Sequence, residues 1–489
     1  DRKNDQRMNS YTIIGIVITL ALFIGLSIYA GTRVKSASDF VSGSGKSSSF
    51  IIAGTLMGTL VGGSSTVGTA QLAYTNGLSA WWFTLGGGIA SLILAIGFTK
   101  PFRNAGSPTL VGIVCGEFGQ TAGLLASVLS SVGIFINILS QLLSAVAVII
   151  IITPAIGTVP ALIIAALLMV AYVTLGGIKG AGMVGVLKLI LLYFTVVFCA
   201  AAVLVLTKGL SAFLVSVNDL GGNFGLFSRG IGLDTGACAS LILGVLTTQT
   251  YGQAVMSGKT DRAARTGALI STVMIPPVGI GGILVGLYMR TVNDPTVAGN
   301  TSLALTEFIL HHVPPLLGGV MLATLLFAVV GTGAGLALGI STIINNDIVR
   351  KLSRKGLDSK TELLLSRMWI IIVLAIGVAL AAVLGKTAIQ SFAYMSMGLR
   401  GAVMFMPLML ALFAKNTVRK GYVLASIIGG PVIVLIFGIW KVFTFDPLFL
   451  GLAFCLAVCL IGIISGRKNS GGMSESVDIL SCDRYNKLK

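Results

Sequence analysis

The amino-acid sequence predicts an all-α polytopic membrane protein with about thirteen transmembrane helices. Three observations carry that reading. Of 489 residues, 55% are hydrophobic and only 10% charged, whereas a soluble domain carries about 25% charged residues to cover its surface. The mean hydropathy is +0.97. The apolar residues run in continuous blocks of about 20, the length that crosses a bilayer as a helix, and do not alternate in short strands as a barrel would.

In chain order the predicted spans are 11–30, 50–71, 78–98, 123–153, 159–174, 184–206, 237–253, 266–290, 316–346, 368–384, 390–413, 421–440 and 447–465. The first is long enough to cross and lacks a clear cleavage site, so it reads as a span and not a cleaved leader. Residues 1–10 form a tail whose first seven, ahead of Met8, read as an added extension. Residues 466–489 form a second tail, too short for a signalling domain.

The bases test this map. The connections at 72–77 and 154–158 carry none, and 385–389 carries only Lys386. The alternate connections hold Arg33, Lys35 and Lys46; Lys100 and Arg103; Lys179; Lys259, Arg262 and Arg265; the run from Arg350 to Arg367; and Lys415, Arg419 and Lys420. Arg467 and Lys468 open the final tail. By the positive-inside rule the N-terminus is extracellular and the C-terminus cytoplasmic, in the cell membrane. The net charge of +17 therefore orients spans and does not imply nucleic acid. Trp81, Trp82, Trp369 and Trp440 all fall at span ends, as an interfacial belt requires.

The six cysteines show no CxxC and no metal-ligand spacing, which speaks against a cluster or disulfide framework. The two histidines, His311 and His312, are adjacent in a connection, and no nucleophile–base pair stands out, so an enzyme is not expected. The acids all read as loop or tail residues, with Glu117 in the connection before span four. Two bases fall well inside spans: Lys188 in span six and Arg400 in span eleven. Ionisable groups at that depth cost several kcal/mol and are functional candidates by default.

Span two reads IIAGTLMGTLVGGSSTVGTAQLAYTNGLSAWW onward into span three. Gly54, Gly58, Gly62 and Gly63 followed by Ser64, Ser65 and Thr66 suggest a helix that breaks mid-membrane, which is tolerated only beside a polar cavity. Close helix packing through small residues is the alternative. This segment, YVTLGGIKG before span six, TTQTYGQAVMSGK after span seven, STIINNDIV ending span nine and MPLMLALFAKNTVRKG in span eleven resemble the sodium/solute symporter family, in its proline/galactose symporter-like form. The resemblance covers nearly the whole chain. It implies the leucine-transporter fold, with inverted repeats at 50–206 (spans two to six) and 237–413 (spans seven to eleven), and 421–465 as two peripheral helices.

The resemblance also implies a sodium site between the break in span two and span nine. Aligned on Gly68 and Asp347, its ligands fall on the carbonyls of Gly58, Val61 and Ala328 and on hydroxyl positions occupied by Gly331 and Thr332. Glycine supplies no hydroxyl. The family's acid at the start of span six aligns with Gly185, and the polar residue a turn later with Lys188. Lys188 either snorkels from near the helix start or replaces the ion. Long side chains lean toward a helix N-terminus, so its ammonium would reach back to those oxygens.

For substrate, the implied lining is Leu60, Gly62, Gly63, Ser64 and Ser65 of span two, Phe83 and Thr84 of span three, and Thr248, Gln249 and Tyr251 of span seven. Arg400 either reads a substrate carboxylate or locks span eleven to backbone carbonyls or Glu117. The expected function is a secondary active transporter importing a small neutral, zwitterionic or carboxylate solute by alternating access. Lys188 would replace sodium, giving sodium-independent or proton-coupled transport. The alternative is a sodium-coupled symporter with a degenerate site, and a channel or sensor competes less well. No cofactor is expected beyond a sodium ion or proton as coupling ion. The partners are the solute and the lipid bilayer, with no obligate protein partner.

Overall fold

The computed structural model of the protein describes residues 9–31, 47–107, 109–349, 359–384, 389–440 and 443–467; within 174–184 it describes only the backbone. Residues 1–8 and 468–489 of the tails, Arg33, Lys35, Lys46, the run from Arg350 to Lys355 and Lys386 lie outside the described residues, as does the Lys179 side chain.

Each predicted span falls on an apolar helix. Among the described residues, nine helices are long and apolar enough to cross a membrane, and one further pair qualifies together across a 52° bend. Helix α1 is Ser10–Gly31. Span two is interrupted: α2, Ser49–Leu60, stops at Val61, and α3, Val67–Asn76, starts after Thr66. Span three is α4, Trp82–Ile93, entered through a 3-10 turn and left through a π turn. A short helix α5, Leu110–Phe118, precedes α6, Gln120–Ile152.

Spans five and six were expected as two helices joined by a turn, but Thr158–Leu206 (α7) is helical throughout its 49 residues. The glycines read as turn signals at 176, 177 and 180 are tolerated inside a helix at a cost of about 1 kcal/mol each, unlike proline. The two ends of α7 are nevertheless neighbours. Tyr172 from one arm and Leu187 and Leu191 from the other pack on the same stacked pair, Phe23 and Phe327. A straight helix would put residues 172 and 191 about 28 Å apart at about 1.5 Å per residue, so α7 is bent between them.

Span seven is the bent pair: α8, Ile231–Thr247, and α9, Gln249–Met256, meet at Thr248, whose extended backbone ends one helix and begins the next. Its start lies six residues ahead of the predicted one. Asp234, read as a loop acid because it interrupts the apolar run, is therefore a fully buried residue of the first turn of α8. Next come α10, Asp261–Val292, α11, Ala304–His312, and α12, Pro315–Ile343, which ends three residues before the predicted limit in a π turn. The last four are α13, Ser359–Leu384, α14, Ile389–Phe413, α15, Lys420–Trp440, and α16, Leu448–Arg467.

Burial sorts these helices into layers. In α6 and α12 the most apolar stretch is 89% and 83% buried by protein, whereas in α13 and α16 it is 28%. The first two form the centre with α14, and the latter face lipid. Close approach needs small residues where helices cross. Gly15 of α1 and Gly319 of α12 supply them: a side chain on Gly319 would overlap the Thr12 carbonyl, and one on Gly15 the Leu316 carbonyl.

Candidate functional site

The break in span two leaves backbone groups that must find partners inside the protein. They find them on α6 and α14. Gly63 N–H donates to Gln141 Oε1 at 2.9 Å, and Gln141 Nε2 reaches Ser64 Oγ at 3.2 Å. The Ser64 and Ser140 hydroxyls are 2.7 Å apart, and Gln390 Nε2 donates to Ser64 O and to Thr69 Oγ1 at 3.2 and 2.8 Å. Ser65 Oγ closes a local loop with Gly62, accepting from its N–H at 3.0 Å and donating to its carbonyl at 2.9 Å. Gly62 and Gly63 are required here, since a Cβ on Gly62 would stand 2.7 Å from Thr332 Oγ1, and one on Gly63 would overlap the Ser144 side chain.

Lys188 sits in this centre, 3% exposed. Its Nζ donates to Gly58 O at 2.9 Å and to Thr332 Oγ1 at 3.0 Å. The Thr332 hydroxyl in turn lies 3.0 Å from Ala328 O and 3.4 Å from Gly58 O. One ammonium thus joins spans two, six and nine. Gly58, Ala328 and Thr332 are brought together; the Val61 carbonyl is not among the Lys188 acceptors. Gly331 faces Tyr172: a Cβ there would stand 3.3 Å from the phenol, so Tyr172 takes volume that a hydroxyl-bearing residue would use. A side chain on the buried Gly185 would meet nothing within 4 Å. Of the positions aligned with the family's sodium ligands, Gly331 and Gly185 offer no side-chain oxygen, and Lys188 Nζ lies on two of the remaining oxygens. Among the described residues no group of three or more His, Cys, Asp or Glu is placed to hold a metal ion.

Arg400 lies apart from that cluster, ten residues beyond Gln390 on α14 and so about 15 Å along it at about 1.5 Å per residue. It is the largest fully buried side chain. Nε donates to Ser396 O at 3.1 Å, Nη1 to Thr248 Oγ1 at 2.8 Å, and Nη2 to Ser396 Oγ at 2.9 Å and Met397 Sδ at 3.1 Å. Glu117 is not its partner; that carboxylate accepts from Asn416 N–H at 2.5 Å. Thr248 and the buried Tyr251 stand beside Arg400. Gln249 Oε1 accepts from Leu110 N–H at 2.8 Å and caps α5. Thr84 turns toward the Pro276 carbonyl at 3.4 Å, and Leu60 fills the notch at Gly87.

Two further clusters close the ends of the bundle. At the basic end, Ser47 pairs with the 257–259 backbone, and Arg103 binds Asp261 at 2.6 Å and the Gly258 carbonyl at 2.5 Å. At the opposite end Arg229 meets Asp234 at 2.6 Å, Ser79 Oγ binds both, and the guanidinium lies 5.4 Å from the Tyr394 ring, which abuts Phe83. Gln141, Gln390, Tyr172, Arg229 and Asp234 were not foreseen. The available signal was a polar or charged side chain inside an apolar run, as at Gln141 and Tyr172, or beside one.

Two interrupted helices, set against continuous ones and joined by buried polar side chains, are the architecture of secondary transporters. The comparisons with known proteins agree. The sodium:solute symporter family model matches residues 40–429, and the chain belongs to that family. That family is one of membrane solute symporters. The high-affinity choline transporter 1 of Caenorhabditis elegans is 25% identical over 300 residues, 55% of this chain; the chain spans about half, 49%, of that relative's length. A substrate-bound, outward-open Na+-coupled sialic acid symporter superposes with a TM-score of 0.77 at 18% identity, covering 96% of this chain and 99% of that one. The nucleobase-cation-symport-1 transporter Mhp1, closed with bromovinylhydantoin bound, gives 0.58 at 14%, covering 90% and 97%. These likenesses show the leucine-transporter fold.

Proposed function

We propose that this protein imports a small organic solute across the cell membrane by alternating access, and that Lys188 stands where the family's sodium ion would tie span two to span nine. The observation that carries the reading is the Lys188 ammonium on Gly58 O and Thr332 Oγ1. At 3% exposure it is not a snorkelling lysine. Protonated, it holds the two spans together. As a neutral amine it keeps two N–H donors, but neutral bonds are about half as strong as charge-assisted ones. Lysine, unlike arginine, can release its proton inside a protein. Loss of the proton loosens span two and lets the basic, cytoplasmic end open at Ser47 and Arg103, while the Arg229 cluster keeps the outside shut. Transport is then sodium-independent and proton-coupled.

The solute is neutral, zwitterionic or anionic. Lys188 and Arg400 are buried bases, and the charge of the buried acid Asp234 is matched by Arg229. A choline-like cation, as the relative's name suggests, would need an aromatic face, and the Tyr394 ring already faces Arg229. The test is uptake into proteoliposomes of labelled amino acids, short carboxylic acids and choline under imposed sodium or proton gradients. Wild type should respond to the proton gradient alone, and Lys188→Ala and Lys188→Gln should lose that response. Sodium-stimulated uptake by wild type, unchanged in both variants, favours the alternative of a sodium symporter with a degenerate site. Tight, saturable choline uptake overturns the charge argument.

A further inference from the structure

We infer that Arg400 and the bend of span seven form a carboxylate-binding site, so that the transported solute carries a single carboxylate. The inference deepens the transporter reading and rests on it. It begins from an imbalance: Arg400 is 1% exposed, and all its contacts are neutral: Ser396 O, Ser396 Oγ, Thr248 Oγ1 and Met397 Sδ. Among the described residues no acid forms an ion pair with it. A guanidinium kept from water without a counter-charge is unfavourable by several kcal/mol, and one that is matched only when solute arrives turns that cost into affinity.

The hydrogen-bond directions show where the anion goes. Thr248 Oγ1 donates to Gly244 O at 2.5 Å, and Ser396 Oγ to Gly133 O at 2.6 Å, so each hydroxyl turns a lone pair to the guanidinium and fixes it in place. Arginine has five N–H donors. Four contacts are made, and one of these is to a thioether, a weak acceptor. The least satisfied donors are thus one on Nη1 and the one on Nη2 that meets Met397. Two donors on the terminal nitrogens are what the two oxygens of a carboxylate take. Methionine is unbranched and repacks readily, so Met397 can yield its place.

A second feature points to the same spot. Thr248, the residue that grips Nη1, is also the N-cap of α9, and no side chain caps that helix. The positive end of α9 therefore lies beside the guanidinium, with Tyr251 buried in that turn. Because Thr248 joins the two halves of span seven, binding a carboxylate here would couple the solute to that bend.

The test uses the purified full chain in nanodiscs, without sodium or any gradient. Saturable binding is measured for straight-chain acids from acetate to hexanoate, lactate, pyruvate and the neutral amino acids, each against its own amide. At least one acid should bind, with its amide about tenfold or more weaker. Arg400→Lys, which keeps charge but loses the fork, should bring the acid down to the level of the amide. The inference is overturned if no acid binds, if acid and amide bind alike, or if Arg400→Lys and Arg400→Gln bind the acid as wild type does. The comparison of acid with amide on wild type stands even if the variants fail to fold. Sodium dependence of binding would count against the Lys188 reading and leave the ratio of acid to amide untouched, so the two failures are distinct.

Discussion

Replacing Lys188 by methionine keeps most of the side-chain volume and removes the ammonium. That ammonium makes two bonds, 2.9 Å to Gly58 O and 3.0 Å to Thr332 Oγ1. Hydrogen bonds to a charged group contribute about 1.5–3 kcal/mol each, so the pair supplies roughly 3–6 kcal/mol of gross attraction. Keeping the ion out of water costs several kcal/mol in return. The two nearly cancel, and the melting temperature of the purified protein is expected to move by only a few degrees. The tie between helices does not cancel. In the variant no hydrogen bond from α7 reaches Gly58 or Thr332, and Gly58 O retains only the 3.4 Å approach of Thr332 Oγ1. One lost charge-assisted bond shifts an equilibrium between tied and released spans about ten- to a hundredfold. Hydrogen exchange read by mass spectrometry over residues 49–60 in nanodiscs measures that release. Exchange should quicken in Lys188→Met, stay as wild type in Thr332→Ser and be intermediate in Thr332→Val. Unchanged exchange in Lys188→Met would refute the idea that Lys188 ties the spans.

Removing Arg229 strands the fully buried Asp234 carboxylate; Arg229→Ala should cost about 3–5 kcal/mol in unfolding measurements, and Arg229→Ala combined with Asp234→Asn should recover part of it. Asp446, in the loop before α16, has its carboxyl held above the ordinary range by burial, with the Leu448 N–H and Arg229 pulling the other way. A raised folded-state value means the native protein holds this proton more tightly than the unfolded chain, so stability falls as pH rises from the ordinary carboxylate value through the raised one. Asp446→Asn retains the 2.9 Å bond from Leu448 N–H and should flatten that slope in melting curves across the acid range. At the α1–α12 crossing, Gly319→Val should cost about 1–3 kcal/mol by overpacking, seen as a lower melting temperature, while Gly299→Val, where a Cβ meets nothing within 4 Å, should not.

The sequence by itself determined the helices and their membrane class, because burial in lipid depends on each segment's own composition and length. It also suggested that span two breaks at the glycines and hydroxyl residues 62–66, with close helix packing as the alternative. The reach of Lys188 to Gly58 and Thr332 was legible for a similar reason: a helix directs its long side chains toward its own N-terminus. The tertiary structure decided the partners. Gly63 is held by Gln141, 78 residues away, and Ser64 by Gln390, 326 residues away, and no local pattern marks either glutamine as the one that faces the break. The first N–H of α5 is bound by Gln249, 139 residues away. Asp234 looked like a loop acid, but Arg229 folds over it and the helix begins six residues earlier than predicted. In each case a polar group's place depends on whether a complementary group arrives from another helix. That is settled by packing, where leaving a buried donor or acceptor unmatched costs more than any local preference can offset.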